Sequence, residues 1–314
     1  MKVLFATDGS KEDQQARVFV TTARWSPGTE IELFGVMRQV GLAVTGDLVE
    51  RNIRDFEHEL DYLAISLPQR DCTVRWRTAV GLPAEEIAAR ARAIEADLIV
   101  VGSRGRGPLA TSILGSVSAG VIDRAPCPVL VARRGEVKRI VLADDGSVGA
   151  ATAAALLDEW PIFSEASLQV VSVVDVGRPL SATGEAPMVF AAGERLYAES
   201  LEEERERARG TVAARAKALK LRPQRIKTSV REGDAADEIV GAARDFAADL
   251  IVVGSRGQTG LARFFAGSVA RRVLLGAKCS VLIARGSAQV VRDDDRMEPL
   301  GVLVHGATWS APTP

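Results

Sequence analysis

The sequence predicts an α/β protein made of two tandem doubly wound domains, each a five-stranded parallel sheet of order 3-2-1-4-5 with helices on both faces. Three observations predict it. The decapeptide Ala-Asp-Leu-Ile-Val-Val-Gly-Ser-Arg-Gly occurs twice, at 96–105 and at 248–257. Short apolar runs alternate with amphipathic segments along both halves, the pattern of repeated βαβ units. The runs Leu98–Val101 and Leu250–Val253 are apolar at every position, as in parallel strands buried on both faces.

The first half starts with strand one, Lys2–Thr7, closed by Asp8-Gly9-Ser10, where Asp8 or Ser10 can cap a helix over Lys11–Trp25. Pro27-Gly28 turns the chain into strand two, Glu30–Met37. An amphipathic helix over Asp47–Leu67 places Leu48, Ile53, Phe56, Leu60 and Leu63 on one side and ends at Pro68. Thr73–Val80 alternates as strand three. A helix over Ala84–Glu95 leads into strand four, Leu98–Val101, and a glycine loop. A helix from Ser116 to Arg124 and strand five, Val129–Ala132, complete the half.

The order then restarts. Ile140–Ser147 repeats Val3–Ser10 in pattern and puts Asp145 in the place of Asp8. Ser167–Val174, Ile226–Arg231, Leu250–Val253 and Ser280–Ala284 are strands two to five of this copy. Gly177–Gly193 reads as a loop, Glu194–Leu221 as a Glu- and Arg-dense helix, Ala235–Phe246 as the next, and Gly267-Ser268 opens the last. The domains are expected at 1–135 and 136–286, followed by a tail at 287–314 carrying Asp293-Asp294-Asp295, read as loose and solvated, with docking of Leu300–Val304 as an added strand the alternative.

Composition narrows the function. A chain of 314 residues holds two domains of the usual ~100–200 residues each. With 40 basic and 41 acidic residues there is no global field to attract nucleic acid or an anionic membrane. No apolar run approaches the ~20 residues of a membrane helix, and the start leads straight into a folded pattern rather than a signal peptide. Three cysteines without CxxC spacing fit reduced, mostly buried thiols, and two histidines leave little room for His-based metal sites or triads. The chain reads as soluble and cytoplasmic.

In a doubly wound sheet the ligand sits at the carboxyl edge between strands one and four. Those strands end in Asp8 and Gly102, or in Asp145 and Gly254. Each glycine loop reads Gly-x-x-Gly, nine residues, Gly-Ser: Gly102, Gly105, Gly115 and Ser116, then Gly254, Gly257, Gly267 and Ser268. Glycine lets backbone N–H groups approach a phosphate and tolerates positive φ. Gly-Ser at a helix start adds free donors, a hydroxyl and the positive end of the dipole. Arg104 and Arg256 offer a charged fork to the same anion, and Asp8 and Asp145 can hold a ribose hydroxyl or reach a metal on the phosphates. Plain strand-to-helix turns, helix caps and solvated arginines are the structural alternatives. Two copies at the same spacing, each opposite an acidic strand end, favour phosphate binding.

These residues give the chain a specific resemblance. Gly-x-x-Gly, nine residues, Gly-Ser, with Asp-Gly-Ser after strand one, resembles the ATP-binding branch of the universal stress protein family, twice over, up to about Arg285. The resemblance implies ATP or another adenine nucleotide in each domain, with the option of magnesium on its phosphates and no metal held by side chains alone. It sets Val36 and Val173 against the base. It brings Ala6, Thr7 and Asp8, or Ala143, Asp144 and Asp145, beside the nucleotide, with Val101 and Val253 at the rim. The glycine loops, with Val117 and Val269 after their serines, take the ribose and phosphates. It also implies a regulatory role in stress physiology, pairing of the two halves through strand five, and an option for a further homodimer. Asp144 in place of Thr7 departs from the first copy and adds negative charge; Gly35-Val36-Met37-Arg38 is an unusual end to strand two.

Gly105-Arg106-Gly107-Pro108-Leu109-Ala110 spells a dinucleotide fingerprint, but after strand four rather than strand one, and its copy at 257–262 breaks it. No P-loop string occurs, and the strand-one loop lacks the run of ATP pyrophosphatases. No dedicated general base is visible, so binding with at most slow ATP hydrolysis is expected and no catalytic residue is assigned. The competing readings are a ligand-free module pairing through strand five, and a weak ATPase or phosphotransferase dependent on Asp8 or Asp145.

Overall fold

A computed structural model describes residues 1–38, 46–67, 72–103, 114–176, 187–220, 225–255, 267–285 and 302–309. In the first half β1 (Lys2–Thr7), β2 (Thr29–Met37), β3 (Cys72–Val80), β4 (Leu98–Gly102) and β5 (Val129–Ala132) alternate with α1 (Gln14–Thr22), α2 (Gly46–Ser66), α3 (Pro83–Ala93) and α4 (Ser116–Arg124). In the second, β6 (Arg139–Ala143), β7 (Ser167–Val174), β8 (Ile226–Glu232), β9 (Leu250–Gly254) and β10 (Ser280–Ala284) alternate with α5 (Val148–Glu159), α6 (Pro187–Ala218), α7 (Ala235–Asp245) and α8 (Ser268–Gly276). Each half has the strand order 3-2-1-4-5, all parallel. β5 and β10 pair antiparallel, Leu130 opposite Leu282, and merge the ten strands of the two halves into one sheet.

The unbroken apolar strands are explained by the two layers. Leu98 and Val100 face a core with Phe19, Phe56, Leu60, Trp160 and Phe163, whereas Ile99 and Val101 face another with Ile87, Val121, Ile239 and Val273. Each such side chain contributes roughly 1.5–3 kcal/mol by leaving water. The Asp of the repeated decapeptide also serves the fold: Lys2 N–H donates to Asp97 Oδ2 at 2.7 Å, and Arg139 N–H to Asp249 Oδ2 at 3.0 Å. Each aspartate thus ties the start of strand one to the start of strand four. Near the end of β2, Gly35 leaves room for α2: a β-carbon there would stand 2.3 Å from the Phe56 ring.

Three expectations change. The first helix is shorter than Lys11–Trp25: a 3-10 turn at Lys11–Asp13 precedes α1, and Ala23 is already extended. α6 begins at Pro187 and so takes in part of the expected loop at 177–193; proline suits a first helical turn, where its missing N–H costs no bond. The tail is not wholly loose. Residues 302–309 form β11 (Val302–Trp309), antiparallel to β3, from Val302 opposite Val80 to Trp309 opposite Val74. An uncovered β3 would present a row of unpaired backbone groups, and β11 satisfies them.

Candidate functional site

Each β1-type strand ends in a glycine turn that needs left-handed backbone: Gly9 has φ 71° and Gly146 φ 77°. The turns are closed by side chains. Asp8 Oδ1 accepts from Ser10 N–H at 3.0 Å and Asp145 Oδ1 from Ser147 N–H at 3.0 Å. In the second half Ser147 also caps α5, accepting from Ala150 N–H at 3.2 Å. In the first half neither Asp8 nor Ser10 caps the helix; Ser10 Oγ is buried without a hydrogen-bond partner.

The residue before the aspartate is anchored differently in the two halves. Thr7 Oγ1 accepts from Gly9 N–H at 3.1 Å and donates to the buried Asp13 carboxylate, which Arg17 Nε binds at 2.6 Å. Burial pushes the Asp13 carboxyl above its ordinary value, against the lowering effect of Thr7 and Arg17. In the second half Asp144 does both jobs: Oδ1 accepts from Gly146 N–H at 2.8 Å and Oδ2 from Arg215 Nε of α6 at 2.5 Å. Asp144 is 2 % exposed, so the charge expected to face a nucleotide is spent on a buried ion pair.

Strand four supplies the other wall. The loop ends are tied identically: Gly115 N–H donates to Ser103 O at 2.8 Å, and Gly267 N–H to Ser255 O at 2.7 Å. α4 and α8 then start at glycine N-caps with no side-chain cap, Gly115 at φ −72° and Gly267 at φ −57°. Glycine is therefore not required at these caps by positive φ; its contribution is the absence of a side chain over the first-turn N–H groups. Ser116, Ser268 and Val269 are exposed there, and Val117 half-buried. Gly254 has a packing reason as well: a β-carbon would stand 2.5 Å from the carbonyl carbon of Gly149 at the start of α5.

The apolar residues gather on one sheet face. Ala6, Val101 and Val253 are buried, and Val36, Val117, Ala143 and Val173 are half-buried against the same core. Asp8 is half-buried and Asp145 exposed. Arg104, Gly105, Arg256 and Gly257 lie outside the described residues. A cleft of about 420 Å³ between α1 and α2, lined by Gly9, Arg17, Thr21, Leu60, Tyr62 and Leu63, belongs to the opposite face and shares only Gly9 with the strand-one turn. Among the described residues no cluster of His, Cys, Asp or Glu is placed to hold a metal, and no helix is long and apolar enough to cross a membrane.

The anchors Asp13, Arg17 and Arg215, and the Ser118 hydroxyl that donates to Gly102 O at 2.8 Å, carried no sequence signal. None sits in the repeated strings: Arg215 stands 71 positions from its partner, and Asp13 and Arg17 have Ala150 and Ala154 as counterparts.

The universal stress protein family model matches residues 1–133 and again 136–285. Universal stress protein Rv2005c of Mycobacterium tuberculosis is 31% identical over 200 residues, a match that covers 62% of this chain and 63% of that protein's length. Universal stress protein MJ0531 of Methanocaldococcus jannaschii is 35% identical over 161 residues, 49% of this chain and 87% of that protein. The crystal structure of a universal stress protein from Archaeoglobus fulgidus overlays 90% of this chain and 98% of its own with a TM-score of 0.59 at 18% identity, a likeness of fold. With two matches that together span the sheet from β1 to β10, the chain belongs to the universal stress protein family as a tandem of two family domains.

Proposed function

We propose that the chain is an ATP-binding regulatory protein of the stress response, with one adenine-nucleotide site in each of the units 1–135 and 136–286. The observation that carries this is the duplicated strand-four exit: loop ends tied by the same backbone bond, then a helix whose glycine cap puts no side chain of its own over the first N–H groups. Such a helix start favours an anion. The half-buried Val36 and Val173 are assigned to the base, Val117 and Val269 to the ribose and phosphate side, and Asp8 and Asp145 follow β1 and β6, the strands that pair with β4 and β9. Gly102, Arg104, Gly105, Gly115 and Ser116, with Gly254, Arg256, Gly257, Gly267 and Ser268, are assigned to ribose and phosphates. Magnesium would come with the nucleotide, on its phosphates.

The proposed role is binding, with at most slow turnover. Hydrolysis needs an oriented water and a base to orient it. Asp8 and Asp145 already accept the N–H groups of Ser10 and Ser147. Calorimetric titration with Mg-ATP tests the proposal. Wild type should bind, and Gly115→Val together with Gly267→Val, which cover both helix starts, should abolish the signal. No heat of binding to folded wild type would refute it.

A further inference from the structure

The halves meet along β5 and β10, and the arginine after each strand crosses to the other half. Arg133 Nη2 donates to Leu274 O at 2.8 Å and Nη1 to Cys279 O at 3.3 Å. Arg285 Nη1 donates to Ala125 O at 3.1 Å and Nη2 to Ile122 O. The internal repeat relates the two sets: Arg133 and Arg285 each follow an Ala that ends strand five, and Ile122 and Leu274 stand at the same place in α4 and α8. Each guanidinium therefore holds the rear of the helix whose front closes the other half's glycine loop.

The physics of these contacts is that of helix ends. The last four carbonyls of a helix have no partner within it, and a cation there complements the dipole. The Val121 and Val273 carbonyls are taken by the N–H groups of Ala125 and Ala277, at 2.8 and 2.9 Å. The next carbonyls, Ile122 O and Leu274 O, are taken by the crossing arginines. A helix of nine residues is only about 13 Å long, so an axial slip at its rear reaches its front undiminished.

We infer that Arg285 is a positioning residue for the first-half nucleotide site and Arg133 for the second, so that each site is set by the half that does not contain it. Each helix also has a tether inside its own half. The buried Ser118 hydroxyl of α4 donates to Gly102 O at 2.8 Å, and Arg272 of α8 donates to Asp234 Oδ2 at 2.5 Å and to Asp237 Oδ1 at 3.3 Å. Loss of either crossing arginine is therefore a partial loss of positioning.

The inference rests on the nucleotide sites proposed above, and two readouts separate its failure from theirs. Mg-ATP is titrated into Gly115→Val protein, which keeps only the second site, and into Gly267→Val protein, which keeps only the first. Arg133→Ala should weaken the second site about tenfold and leave the first within about twofold. Arg285→Ala should weaken the first by a similar factor and leave the second within about twofold. Hydrogen exchange without nucleotide gives the independent readout: α8 amides should lose protection in Arg133→Ala, and α4 amides in Arg285→Ala. Arg→Lys variants, which keep the charge, replace any alanine variant that does not fold and should show the same pattern at reduced size. Equal weakening of both sites, or weakening of the arginine's own half, overturns the inference. So does unchanged exchange in the opposite helix. If wild type binds no ATP, the nucleotide proposal falls, and the exchange pattern alone decides whether the arginines position the opposite helices.

Discussion

Arg215→Leu puts into α6 the residue that α2 has at the matching position, Leu63, and removes the partner of Asp144. The Asp144 side chain is 0% exposed and that of Arg215 21%, so screening by solvent is weak on the acid's side. Breaking a buried pair from one side leaves an uncompensated charge and costs about 3–5 kcal/mol. The reverse change, Asp144→Thr, leaves a guanidinium that can reach water, and about 1 kcal/mol is expected. The double variant strands no charge and is expected to lose about 1–2 kcal/mol, because the introduced hydroxyl would lack an acceptor like the Asp13 carboxylate that serves Thr7. Urea unfolding followed by tryptophan fluorescence measures the cycle, whose coupling energy should be at least about 2 kcal/mol. Arg215→Leu costing under about 1 kcal/mol, or a double variant equal to the sum of its singles, would refute the assignment of Asp144 to an ion pair.

Three further outcomes follow from the same contacts. Gly254→Ala should destabilise the second half by more than about 2 kcal/mol in the same unfolding assay, because its β-carbon meets Gly149 backbone at 2.5 Å and no side chain can give way; a loss under about 0.5 kcal/mol would speak against the close approach. Burial pushes the Cys127 thiol up to about 12, so only about one in ten thousand is thiolate at pH 8. Cys279 is raised by burial too, and alkylation of native protein should therefore modify Cys72 first, with mass spectrometry reading the order. Removing residues 302–314 should expose the outer edge of β3 and raise hydrogen exchange at alternate amides of 74–80, whereas unchanged exchange would mean that β11 does not cover that edge.

Much of the fold was legible because the chain states it twice. The repeated decapeptide fixes β4 and β9, and the alternation of strands and helices fixes the layers. Part of that repeat also answers to folding: Asp97 and Asp249 tie strand starts together, and Gly254 makes room for α5. What was not legible depends on distance in the chain. Asp144 reads as a surplus charge until Arg215 is brought beside it, and Thr7 reads as a lone hydroxyl until Asp13 and Arg17 close around it. β11 was underrated because a strand added at an edge is decided by the edge it covers, not by its own letters. The expected start of the helix over 187–218 is too late because a glycine-, proline- and alanine-rich segment resembles a loop locally.

The central claim is one nucleotide per half, and the most direct test counts them. Equilibrium dialysis against labelled Mg-ATP should give two bound per chain for wild type, one for Gly115→Val, one for Gly267→Val and none for the double variant. A wild-type stoichiometry of zero, or a count that neither substitution changes, would contradict it.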